Sequence, residues 1–62
     1  MHIEANKNYI LIDNYLQINQ IDHDLIELKN IIINGSDLKI INLTPNIIII
    51  KGQIKNINIK DD

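Results

Sequence analysis

Asp22-His23-Asp24 is the one cluster of metal-ligating side chains in this sequence of 62 residues. An imidazole between two carboxylates could begin a zinc site, but such a site needs three or four converging ligands. The other histidine, His2, is remote in the chain, and there is no cysteine to supply a thiolate or a disulfide. The triplet reads better as a solvated turn, and no metal is expected. The single serine, Ser36, has no base candidate beside it, so nucleophilic catalysis lacks its parts. Glu4 and Glu27 are too scattered to argue an acid–base pair. Gly35 and Gly52 lack Walker or dinucleotide spacing and read as turn glycines. Asp37-Leu38-Lys39 follows a turn as a carrier-domain lysine does, but its flanks match neither a lipoyl nor a biotinyl motif. Asn34-Gly35-Ser36 and Asn42-Leu43-Thr44 fit the glycosylation pattern, which carries no meaning without a secretion signal. No catalytic, cofactor-binding or metal residue is assigned, and the chain is not expected to be an enzyme.

Composition narrows the classes further. A chain this short buries only about 60% of its unfolded surface, so it needs dense apolar packing or oligomerisation. Hydrophobic residues make up 45%, most of them isoleucine, which supplies the first. The net charge is −2 and there is no arginine. A nucleic-acid footprint needs clustered basic groups and stacking aromatics; here the aromatics are Tyr9 and Tyr15 alone. No apolar run exceeds Ile47–Ile50, far short of a membrane span, and the polar start MHIEANKN is no signal peptide. The protein is expected in the cytosol, without membrane insertion.

The elements that would position any site read as strands. Isoleucine and ten asparagines disfavour helix, and apolar positions recur at period two or in short blocks. Residues 1–8 form a polar lead-in; residues 9–60 form a single β domain. Asp13-Asn14 is expected to close a hairpin between Tyr9–Ile12 and Tyr15–Ile18, with Leu11 facing the core. Asp22–Asp24 is a turn, and after it Ile26 and Leu28 point one way and Glu27 the other. A corner or bulge is expected at Lys29-Asn30. Asn34-Gly35 predicts a type I′ hairpin turn, with Ile31, Ile33, Leu38 and Ile40 on one face. Thr44-Pro45-Asn46 is a further turn. Ile47, Ile48, Ile49 and Ile50 form a strand buried on both faces, or else a sticky interface. Lys51-Gly52 is a hairpin loop or a glycine kink, Ile57 and Ile59 belong to an edge-like strand, and Asp61-Asp62 ends the chain with charge. The predicted class is all-β: a small antiparallel β-sandwich or roll of six to seven short strands. Its unprotected edges predict a homo-oligomer or a protein complex, with Gln53–Lys60 or Tyr9–Ile12 in the contact.

From Asn30 onward, IIINGSDLKIINL followed by IIIIKGQIKNINI resembles the YabP/YqfC family of bacterial sporulation proteins. Gly35, Leu38, Ile40, Leu43, Gly52 and Ile54 fall on that family's positions, and the likeness extends over roughly residues 9–60. The family's longer amino-terminal segment and its loop near Lys29-Asn30 have no counterpart, so contacts made by those segments are not carried over. The resemblance implies a small β-sandwich without enzymatic activity. It implies a structural or adaptor role in spore coat or forespore-envelope assembly, in the mother cell and peripheral to the forespore membrane. It also implies a protein partner, for some relatives a membrane protein of the sporulation programme. The alternative is a self-assembling β-scaffold of the bactofilin kind.

Overall fold

The computed structural model describes residues 1–60, and all of its regular elements are strands. They are β1 (His2–Asn6), β2 (Tyr9–Asp13), β3 (Ile18–Ile21), β4 (Leu25–Leu28), β5 (Ile31–Leu43) and β6 (Ile47–Ile59). All pair antiparallel in one six-stranded sheet of order β1-β2-β6-β5-β4-β3. The fold is therefore the small antiparallel roll expected from the isoleucine-rich pattern, with one difference. β5 and β6 are 13 residues each, where short strands were expected. No helix among the described residues is long and apolar enough to cross a membrane. Asp61 and Asp62, expected as a charged chain end, lie outside the described residues.

The β1–β2 hairpin docks on the first half of β6, where Tyr9–Asp13 pairs with Ile47–Lys51. The β3–β4 hairpin docks on the first half of β5, where Leu25–Glu27 pairs with Ile32–Asn34. Each long strand continues past its hairpin, and the two run together through three register shifts between Asn34 and Asn42. Bulges bend a strand and increase its twist, so the sheet folds over and its two halves share one core. That core is Ile10, Ile12, Ile26, Leu28, Ile31, Ile33, Leu38, Ile48 and Ile50; no polar residue is buried among the described residues, although the side-chain oxygen of half-buried Asn30 is shielded from water. Each fully buried isoleucine contributes about 1.5–3 kcal/mol of transfer free energy.

Several expectations are corrected. His2–Asn6 is an edge strand rather than a lead-in, and its Ile3 packs against the core. Asn14 does take a positive φ of 60°, but no hairpin forms there: β2 pairs with β1 and β6 instead of Tyr15–Ile18. Consequently Ile10 and Ile12 face the core, and Leu11 is half-buried on the outer face. Ile47 and Ile49 share that outer face, opposite Asp13 and Leu11, while Ile48 and Ile50 point inward. Ile40 is half-buried at the core's margin.

The Asn34-Gly35 turn is also absent: β5 runs straight through it, with Gly35 paired to Ile54. A Cβ on Gly35 would collide with the Gln53 carbonyl oxygen, so glycine is required by backbone approach. The positive φ lies further on, at Asp37 (54°). Gly52, at φ 143°, is the kink in a continuing strand, and a Cβ there would meet the Asp37 carbonyl oxygen at 2.6 Å. Thr44-Pro45-Asn46 joins β5 to β6 as expected. There Thr44 N–H donates to the Ile47 carbonyl at 2.9 Å, and Thr44 Oγ1 accepts from Ile47 N–H at 2.9 Å.

One pair of substitutions and one single substitution test this layout. Ile50→Thr should cost about 3 kcal/mol, from lost packing and an unpaired buried hydroxyl, and Ile49→Thr no more than about 1 kcal/mol. Urea unfolding reads both, and equal costs would contradict the assignment of faces. Gly35→Ala should cost about 2 kcal/mol or more by forcing β5 off β6; an unchanged urea midpoint would mean that the two backbones do not touch there.

Candidate functional site

The Asp22-His23-Asp24 triplet forms the turn between β3 and β4, closed by a 2.7 Å bond from Asp22 N–H to the Leu25 carbonyl. Its side chains are exposed, and the fold uses its backbone. The His23 carbonyl accepts from Leu38 N–H at 2.8 Å and the Asp24 carbonyl from Gly35 N–H at 3.1 Å, which pins the turn to the bulged part of β5. His2 lies on β1, across the sheet order, with Nε2 3.6 Å from an oxygen of exposed Glu4. Among the described residues no three histidine or acidic side chains group as a metal site would. Glu27 on β4 accepts from Lys60 Nζ at 3.4 Å, so the two glutamates sit on separate strands with separate partners. Ser36 lies within β5 opposite Gln53. Lys39 is mid-strand opposite Lys51, so it does not occupy the hairpin tip that a carrier lysine needs.

What the fold does present is open backbone. β1 and β3 are the outer strands of the sheet. Two further open stretches arise because each hairpin covers only half of a long strand. On β6, pairing with β2 ends at Lys51; the Asn8 and Lys7 carbonyls then accept from Gly52 and Ile54 N–H at 3.0 and 2.9 Å. Beyond Ile54, no described strand pairs with that side of β6. On β5, pairing with β4 ends at Asn34, and Lys39–Leu43 has no strand on its outer side among the described residues. Ile41 and Leu43 are exposed there, as is Ile59 at the end of β6.

One bond fixes the direction of the open groups on β6. Lys60 N–H donates to the Asn30 carbonyl at 2.8 Å, just beyond the Ile31–Ile59 pair. A bond flanking a pair in this way marks it as non-hydrogen-bonded. Ile59, and Ile57 two residues earlier, therefore aim their N–H and C=O groups away from β5. Beside this edge, where the β1–β2 turn parts from β6, a cleft of about 360 Å³ opens between Ala5, Asn6 and Lys7 on one side and Ile54 to Ile57 on the other.

Of the two stretches expected to make contacts, Gln53–Lys60 thus includes an open edge. Tyr9–Ile12 does not, since β2 is flanked on both sides. The half-edges are not evident in the sequence, where Asn34-Gly35 reads as a turn and Lys51-Gly52 as either a loop or a kink, so the full length of neither strand is visible. Their signal is a mismatch of lengths: a 13-residue strand beside a neighbour of four or five residues must overhang it. All ladders are antiparallel, whereas coils stacked as a β-helix, as in the scaffold alternative, pair in parallel. Compared with known proteins, the chain matches no family model, no curated protein and no solved structure.

Zinc or nickel should leave the melting temperature unchanged, because a specific ligand of the native state must raise it by mass action. A saturable rise abolished by His23→Ala would make the β3–β4 turn a metal site.

Proposed function

We propose that this chain is a non-enzymatic structural or adaptor protein that works by pairing its open strands with other proteins. The observation that carries this reading is the open backbone of the long strands, above all at Ile57 and Ile59. An unpaired sheet edge is a template for another strand, and strand addition is a recurrent mode of protein recognition. Net charge −2 and the absence of arginine speak against a nucleic-acid partner.

The resemblance to YabP/YqfC proteins narrows the setting. Five of its six matching positions coincide with the bend of the sheet and the packing beside it: Gly35 and Gly52 at the close approach of β5 and β6, Leu38 in the core, Ile40 and Ile54 against it; the sixth, Leu43, is exposed at the end of β5. In this reading the chain acts in bacterial endospore formation, in the mother-cell cytoplasm at the forespore membrane. It takes part in coat or envelope assembly beside a protein partner, such as a membrane protein of the same programme. It also associates with itself as a homo-oligomer.

Deleting the gene in its native host should lower the yield of heat-resistant spores by more than about tenfold while vegetative growth is unchanged. A normal yield, or a host that makes no spores, would refute the sporulation role. Self-association should make the melting temperature rise over about a hundredfold range of protein concentration. A monomer by light scattering that melts at one temperature throughout would refute the oligomer.

A further inference from the structure

We infer that the open edge of β6 at Ile57–Ile59, with the cleft beside it, takes up an extended segment of another protein that alternates apolar and acidic residues. This rests on the adaptor reading above and names the chemistry of the partner. Three features of the same place converge on it. The first is backbone: Ile57 and Ile59 turn N–H and C=O groups outward, which gives an incoming strand donors and acceptors at the two-residue period it needs.

The second is the floor of the cleft. Ala5, Ile54 and Ile57 line it, and both isoleucines are half-buried and already packed against the core. An apolar side chain entering from a guest strand would extend that core. The third is charge. Lys7 and Lys55 line the cleft as well, no acidic residue among those described lines it, and the chain as a whole carries −2. The lysine ion pair is Lys60 with Glu27, and Lys7 and Lys55 have no carboxylate partner among the described residues. Side chains of a strand alternate between two faces, so one guest can turn apolar residues into the cleft and acidic residues toward the lysines. The other open edges lack this combination: the β5 edge is broken by the bulge between Ile40 and Asn42, and β1 carries Glu4.

The probe is a heptapeptide alternating glutamate and valine, with a lysine–valine peptide as its counterpart, followed by amide hydrogen exchange in the folded protein. The acidic peptide should bind saturably and slow exchange at Ile57 and Ile59 by more than about tenfold, without protecting Lys39–Leu43. The lysine peptide should do neither. Lys7→Glu combined with Lys55→Glu should weaken binding by about tenfold or more. Ile59→Pro removes an outward N–H without removing a β5–β6 bond, so it should abolish binding while the rest of the amide spectrum stays native. Equal binding of the two peptides, or saturation without protection at Ile57 and Ile59, would overturn the inference. So would protection that appears without peptide as protein concentration rises, which would make a second copy the occupant. A cellular partner recovered equally well by the wild type and by Ile59→Pro would overturn the cleft and leave the adaptor reading standing.

Discussion

Backbone meets backbone where β5 crosses β6, and the rest of the molecule depends on that contact. A Cβ on Gly35 would collide with the Gln53 carbonyl oxygen, and one on Gly52 would sit 2.6 Å from the Asp37 carbonyl oxygen. With hydrogens in both places, and Asp37 in the left-handed region, two long strands turn together without parting. A straight hairpin of that length would show an isoleucine-covered face to water. The bent one brings its two ends face to face, and each end recruits a hairpin to widen its half of the sheet. Ile10 and Ile12 from one hairpin then share a core with Ile26 and Leu28 from the other.

The same bend accounts for the open edges. A docked hairpin follows a long strand only as far as the kink, because past it the strand has moved into the other half of the sheet. Its outer side is left bare there: beyond Ile54 on β6 and from Lys39 on β5. The core itself is aliphatic, with no polar residue buried in it among the described residues to specify its arrangement. Specificity falls to shape: alternation along the strands, the bulges, and the two positions where a methyl group does not fit. A core this small leaves little margin, and covering an exposed edge with a partner's strand would add to it.

Local rules recovered much of this where a residue's neighbours in sequence are also its determinants. Ile26 and Leu28 alternate with Glu27, and they are buried as that alternation requires. Thr44-Pro45-Asn46 carries its own turn chemistry, and Thr44 closes it. Asn34-Gly35 misleads because two different needs select glycine, and only one of them, positive φ, is visible locally. The other, a strand passing within contact distance, involves Gln53 and Ile54, far along the chain. The faces of β5 nevertheless came out right. The bulge at Asp37 inserts one residue, so Leu38 joins Ile31 and Ile33 on the inner face as it would after a two-residue turn. On β2 the choice between Leu11 and the flanking Ile10 and Ile12 had no local answer, since both faces are apolar; pairing with Ile48 and Ile50 decides it. The candidate binding edge was legible only as an isoleucine strand with lysines, because openness depends on where neighbouring strands stop.

Amide hydrogen exchange along the last half of β6, in the free protein, tests the bent pairing and the open edge together. The account predicts an alternation: Asn56 and Asn58, whose N–H groups face β5, exchange slowly, and Ile57 and Ile59, whose N–H groups face outward, exchange fast. Uniformly slow exchange through these four residues would mean that the edge is already covered. Asn58 exchanging as fast as Ile57 would mean that β6 does not pair with β5 beyond the kink, and either result would contradict the account.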